Sequence, residues 1–376
     1  MVELAEDEFS NFVKVWLSIF VSLSYCYIIG KIIPKGFARL IALLPVIALF
    51  FALPLNLTSL HLCVFTSLFI SWLATFKLLL FAFGKPPLTF DPPLSFNNFL
   101  LVAGLPIKLH TDSPLKTASN LKQKYLQESL NENDPDHETK NKSYPSSHKS
   151  KTQPKISPWN YIIKVILLAV IVKTYDYSNQ LPEKLLSTLH GFHIYFALEL
   201  ILACVAKSAK VFLGFDLEPQ FNEPLLSTSL QDFWGRRWNI MVTSILRPTV
   251  YLPTLNFASK FVGQEMGKLV GVMASFSVSG IYHDLIFYYL GRLTPTFQVT
   301  WFFLLHGFCL CVEVILKKYF GGKVRVPRWI SGIATVGFVI VTGVRLFMPP
   351  LLRAGLTTKG VHEYAVIGAF IKRTII

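Results

Sequence analysis

The stretch Asn222–Tyr251, NEPLLSTSLQDFWGRRWNIMVTSILRPTVY, decides how this chain folds. It sets Trp234, Trp238, Arg236, Arg237 and the amides Gln231 and Asn239 inside a sequence that is otherwise very apolar. Groups of this kind are costly near a bilayer and are kept there for a function. An apolar segment downstream, SGIYHDLIFYY (Ser279–Tyr289), carries a single histidine, His283.

The rest of the chain explains why that island is unusual. Of 376 residues, 52% are hydrophobic and only 15% charged, and the mean hydropathy is +0.47. Several windows reach or approach the ~20 apolar residues that a helix needs to cross a bilayer, separated by short joints in which basic residues dominate. Runs such as LIALLPVIALFFALPL do not alternate, which excludes a β-barrel. The sequence therefore predicts an all-α polytopic membrane protein.

The net charge of +14 is spread over the joints between apolar runs and is not gathered on one soluble face, so it points to membrane topology and excludes nucleic acid as the partner. The five cysteines all lie in apolar segments and read as small buried hydrophobes. An acidic start (Glu3, Glu6, Asp7, Glu8) and the lack of a small-residue cleavage site after the first apolar run predict that the first helix is retained.

Basic residues Lys31, Lys35 and Arg39 follow that helix and place the joint after it in the cytosol. Three regions follow: N-terminal transmembrane helices over 1–83, a proline- and lysine-rich cytosolic loop over 84–157 expected to be largely disordered, and a second membrane region over 158–376. If Asn239–Phe257 crossed the membrane, the basic segment KKYFGGKVRVPR (Lys317–Arg328) would end up outside. A re-entrant or interfacial segment over Trp234–Phe257, interrupted by Pro248 and Pro253, restores the positive-inside bias. The expectation is about eight or nine membrane helices plus this broken segment.

Five histidines (His61, His190, His193, His283 and His306) lie in or beside apolar helices. His283 stands apart. A small-residue run, ASFSVSG (Ala274–Gly280), lets a neighbouring helix approach, and an aromatic set follows it. A neutral imidazole there suits a general base. Asp284 lies about 100° round the helix and cannot simply orient it. Asn239 offers two uncharged donors for an apolar chamber. Trp234 and Trp238, at i and i+4, either line an acyl channel or sit at the bilayer interface. Arg236 and Arg237, with Lys207 and Lys210, either clamp a phosphorylated cosubstrate or simply follow the positive-inside bias. The sequence carries no metal-ligand cluster, phosphate-binding glycine loop or nucleophilic serine motif.

Four stretches, VWLSIFVSLSYCYIIGKIIPKG, FKLLLFAFGKPPL, SLQDFWGRRWN and SGIYHDL, resemble the plant wax synthase family, a branch of the membrane-bound O-acyltransferases. The resemblance covers nearly the whole chain outside the 108–156 loop. It implies an MBOAT-like fold with an intramembrane catalytic chamber over 158–376. It also implies transfer of a fatty acyl group from acyl-CoA, a cosubstrate with no bound cofactor or metal, to a lipophilic alcohol in the endoplasmic reticulum membrane. On this likeness His283 is the catalytic histidine and Asn239 its partner, while Arg236, Arg237, Trp234 and Trp238 are the cosubstrate residues. Asp284 departs from the Glu that many relatives carry. The expected acceptor is a long-chain alcohol, with a sterol or diacylglycerol and a short acyl donor as alternatives. A transporter, which also uses broken helices and buried histidines, is the rival from another class.

Overall fold

A computed structural model describes residues 2–91, 93–106, 158–213, 220–321 and 326–375. Most of the 84–157 loop therefore lies outside the described residues. Helices dominate: α1 (Val2–Ile32), α2 (Phe37–Ala52), α3 (Leu60–Ala82), α4 (Phe96–Gly104), α5 (Pro158–Thr174), α6 (Glu183–Leu213), α7 (Ile240–Leu246), α8 (Leu252–Gly291), α9 (Gln298–Phe320), α10 (Arg328–Thr342), α11 (Met348–Arg353) and α12 (Leu356–Ile375). Among the described residues seven segments are long and apolar enough to cross a membrane. The chain is a multi-pass membrane protein. α5 falls outside those seven because its 17 residues reach only about 26 Å, and α12 is also outside them.

At the basic end of the bundle, Arg39 ties three helices together. Its guanidinium donates to the carbonyls of Gly30 (3.1 Å) and Ile33 (2.7 and 3.0 Å) from α1, and to Phe81 (3.2 Å) of α3. A cation is stabilised among C-terminal helix carbonyls that have no intrahelical partner. Lys77, fully buried in α3, does the same for α4, donating at 2.6 Å to Val102 O and Leu105 O. The start of the expected disordered loop is thus folded: Leu88, Leu94, Phe99 and Val102 are buried against the first three helices. Its proline content hid a short amphipathic helix whose anchor, Lys77, lies about 20 residues upstream.

The break in the central region is real: Pro248 lies in a π-wound turn, Arg247–Tyr251, and a second turn follows at Gly263. Ile240–Gly291 is one apolar run of 52 residues, too long for a single crossing. It folds back at Gly263, whose φ of 78° and ψ of 165° belong to glycine alone. Past the turn, a Cβ on Gly267 would meet Ser259 and one on Gly271 would meet Tyr251, so the two limbs lie side by side. Both ends of the first limb return to the same side. Leu230 N–H donates to Glu313 (2.7 Å) near the C-terminus of α9, and beyond the Gly263 turn Glu265 pairs with Lys318 (2.7 Å) of the same helix end. The segment therefore starts and ends on the same side of the bundle, as a re-entrant or interfacial piece does and a crossing does not. Pro253 sits in the first turn of α8, where its missing N–H costs nothing.

The returning limb of α8 packs closely on α9. A Cβ on Gly280 would lie 2.7 Å from Thr300 Cα, which realises the close approach expected of the small-residue run. Cys26, Cys63 and Cys311 are buried, whereas Cys204 is exposed and Cys309 half-buried.

The opposite end is closed by Glu363 of α12. Its carboxylate accepts from Leu60 N–H (2.6 Å), His61 N–H (3.1 Å) and Ser59 Oγ (3.1 Å), and His61 Nδ1 lies 2.6 Å away. Burial raises the carboxyl pKa, but the hydrogen bonds from His61 and the two backbone donors outweigh it and hold Glu363 at about 2, down from 4.5. A depressed carboxylate contributes stability that is present above the unfolded pKa and is lost as pH falls through the folded one.

Two measurements test this architecture. Gly280→Val should lower detergent-solubilised thermal stability by about 1–3 kcal/mol, because backbone rather than a flexible side chain blocks the new atoms. Wild-type stability should decline between pH 4.5 and about 2, and Glu363→Gln, followed by the same thermal melts, should flatten that part of the decline.

Candidate active site

Asn239 stands at the break between a π-helical turn (Phe233–Arg237) and α7. It adopts the left-handed conformation (φ 40°, ψ 67°), which short polar side chains tolerate better than most. Its Oδ1 accepts the N–H of Val242 at 3.3 Å and caps α7. The cap consumes the carbonyl and leaves the two amide donors, which have no protein partner among the described residues. Around the break, backbone groups are matched across strands of irregular chain: Asn222 N–H to Arg237 O (2.9 Å), Ile240 N–H to Gln220 O (2.8 Å) and Trp238 N–H to Phe233 O (2.8 Å).

His283 lies two turns before the end of α8. Its Nδ1 is 2.7 Å from Ser279 O. A carbonyl can only accept, so Nδ1 carries the proton and Nε2 carries the lone pair a general base needs. Phe303 (centroid distance 4.5 Å), Trp72 (4.9 Å) and Phe347 (5.8 Å) pack round the imidazole. His283 and Asn239 line the same cavity of about 420 Å³, together with Trp72, Trp234, Trp238, Ser279 and Phe303. The sequence separates these two residues by a re-entrant limb, and the turn at Gly263 brings them together.

Both tryptophans expected at the site line this cavity. Trp234 is held by a defined chain. Its indole N–H donates to His306 Nδ1 (3.1 Å), His306 Nε2 lies 2.8 Å from Thr342 Oγ1, and Thr342 donates to Phe338 O (2.7 Å). An indole is only a donor, so His306 accepts at Nδ1 and donates at Nε2. Fully buried, His306 is a strut for Trp234. Trp238 stacks on Phe233 (5.4 Å) and packs near Tyr195 (5.6 Å).

The other three membrane histidines stand apart. His193 lies 3.0 Å from Tyr175 Oη and 3.2 Å from Tyr364 Oη, His190 stacks on Tyr175, and His61 faces Glu363. None of them lines the cavity. Asp284 points to α9, accepting from Thr300 N–H (3.0 Å) and Oγ1 (2.5 Å). It satisfies a donor in the first turn of α9 and ties α8 to it.

The arginines divide. Arg237 donates to Asp232 (2.7 Å) and to the carbonyls of Asn222 and Glu223 (3.1 and 3.2 Å), so its guanidinium is already engaged in holding the loop. Arg236 is exposed and lines a basic pocket of about 510 Å³ with Arg237, Lys317 and Arg328. Lys207 and Lys210 do not line it. Gln231 lines both this pocket and the apolar cavity, so a polar entrance adjoins an apolar interior. Lys317 and Arg328 had served only as topology markers in the sequence; the fold carries them to the pocket that Arg236 and Arg237 line.

Residues 217–305, which span Asn239, His283 and the re-entrant hairpin, match the sequence profile described as the membrane bound O-acyl transferase family. Over nearly full length the chain is 45% identical to the acyl-CoA–sterol O-acyltransferase 1 of Arabidopsis thaliana, covering 96% of both chains. It is 42% identical to the long-chain-alcohol O-fatty-acyltransferase of Simmondsia chinensis, covering 98% of this chain and 97% of the relative. A probable long-chain-alcohol O-fatty-acyltransferase 1 of Arabidopsis thaliana follows at 40%, covering 96% and 97%. The chain belongs to the membrane-bound O-acyltransferase family.

Membership decides for the enzyme over the transporter: the protein is an acyltransferase. In such an acyltransferase the polar island is one wall of a chamber and His283 another, while Asp284 belongs to the scaffold. His283→Ala is therefore expected to lose about 10²- to 10⁴-fold in rate, while Asp284→Asn, which retains an acceptor for Thr300, keeps most of its activity. Initial rates in microsomes normalised to protein level separate the two; a large rate loss in Asp284→Asn with normal protein level would place that carboxyl in the chemistry after all.

Proposed function

We propose that the protein transfers a fatty acyl group from acyl-CoA to the hydroxyl of a lipophilic alcohol, a long-chain fatty alcohol in the first instance, in the endoplasmic reticulum membrane. The observation that carries this reading is the pairing of a basic pocket with an apolar cavity through Gln231, with His283 and Asn239 on the cavity wall. A molecule with a phosphorylated polar head and a long apolar tail fits that division of polarity. Arg236 and Arg328 suit the phosphates, beside Lys317, which pairs with Glu313 at 2.6 Å, and Trp234 and Trp238 line the space beyond.

In the reaction the alcohol oxygen attacks the thioester carbonyl while its proton passes to His283 Nε2. The tetrahedral intermediate collapses with cleavage of the C–S bond, giving the ester. The CoA thiolate then takes the proton from the imidazolium and returns His283 to its neutral form. The Asn239 amide donors are suited to hold the reacting oxygen. The largely apolar lining of the cavity keeps water from competing as the nucleophile.

A sterol is the second acceptor, favoured by the 45% identity to a sterol acyltransferase. Microsomes containing the protein, given labelled acyl-CoA of acetyl to very long chain length with fatty alcohols, sterols and diacylglycerol, should form ester with one acceptor class in strong preference. The absence of ester with every acceptor would overturn the reading. Arg236→Ala and Arg328→Ala should each raise KM for acyl-CoA several-fold, more weakly at high salt, and leave KM for the alcohol unchanged.

A further inference from the structure

Trp72 lies on α3, outside the region that matches the family profile, yet it reaches the wall of the chamber. The helix is π-wound from Ser67 to Ala74, and that turn is pinned by Ser71 Oγ, which donates to Phe50 O at 2.7 Å. Wide turns of this sort cost helix stability and persist where they aim a side chain at a site. Here the side chain stacks on Tyr282 (5.6 Å, 27° between planes) and stands edge-on to the His283 imidazole (4.9 Å, 84°).

The indole is 3% exposed, and its Nε1–H has no hydrogen-bond partner. Two other part-buried indoles are paired: Trp16 donates to Thr66 Oγ1 at 3.3 Å and Trp234 to His306 at 3.1 Å. A buried donor without an acceptor is destabilising and calls for an explanation. Beside the base of an acyl transfer there is a ready one. As the alcohol attacks, the thioester carbonyl oxygen becomes an oxyanion. His283, which is accepting the proton, cannot stabilise it at the same time. A neutral, dry, rigidly packed N–H is suited to that task because it needs no reorganisation when charge develops.

We propose that the Trp72 indole N–H donates a hydrogen bond to the thioester carbonyl oxygen and stabilises the oxyanion, acting with Asn239 from the opposite segment of the chain. The proposal rests on the acyl-transfer reading and adds to it a catalytic residue from the N-terminal helices. It gives α3 a chemical role besides packing, since the thioester oxygen would supply the acceptor that this buried donor lacks.

The experiment uses the full-length protein in microsomes or detergent, with acyl-CoA and the preferred alcohol. Trp72→Phe removes the N–H and should lower kcat by about 10²- to 10³-fold while leaving KM for acyl-CoA and alcohol near wild type. Trp72→His restores a ring N–H and should recover a substantial part of that loss. If the phenylalanine variant fails to accumulate, site-specific β-(3-benzothienyl)alanine at position 72, which keeps the ring outline and lacks the N–H, should show the same fall in kcat. Wild-type kcat in the phenylalanine or benzothienyl variant, or a histidine variant no better than phenylalanine, would overturn the role of Trp72 while leaving the acyl-transfer reading intact. A wild-type protein that makes no ester with any acceptor would instead remove the reading on which it rests.

Discussion

A polar backbone inside a bilayer has to find its own partners, and the rest of this structure depends on how the segment from Gln220 to Asn239 does so. Irregular chain at membrane depth is tolerated only when it is buried in protein or lines a cavity. Here the carbonyls of Gln220, Asn222 and Glu223 are met by Ile240 N–H and by the side chain of Arg237, Asn222 N–H donates to the Arg237 carbonyl, and Glu313 receives the N–H groups of Leu230 and Gln231. That mutual satisfaction lets Asn239 hold a left-handed conformation at a helix start and present its amide to the chamber. The arginine that a charge-based reading assigns to a ligand is, in Arg237, the pin of this loop.

Two histidines of the same chain show how partners set roles. His306 is hydrogen-bonded at both nitrogens, to Trp234 and Thr342, and has no lone pair to offer. His283 spends only Nδ1, on a carbonyl of its own helix, and keeps Nε2. Packing alone does not separate them, since aromatic rings surround both. What separates them is which hydrogen bonds are already made.

The same logic organises the bundle away from the chamber. Arg39 and Lys77 are donors placed among helix-end carbonyls at the basic end, and Glu363 is an anion placed on helix-start donors at the other. Each joins elements distant in sequence, and each lies near the end of a helix, where backbone groups lack intrahelical partners. These three side chains thus act on backbone groups at helix ends. The carboxylate of Asp284 follows the pattern at the start of α9.

Apolar run length and the placement of basic joints determined the helical, multi-pass architecture and required a non-crossing central segment, because both follow from local transfer energies that a linear sequence records. The motif around His283 and the polar island marked two walls of the candidate site for the same reason: polar groups in a greasy chain stand out. The sequence did not show that the return turn is at Gly263, although an unusual φ at a glycine explains it. Nor did it show that residues after Gly84 fold under Lys77, that His306 serves Trp234, or that Lys317, Arg328 and Trp72 reach the site. Those facts depend on which helix faces meet, and a face becomes a site only when partners far apart in sequence satisfy, or leave unsatisfied, its hydrogen-bonding groups.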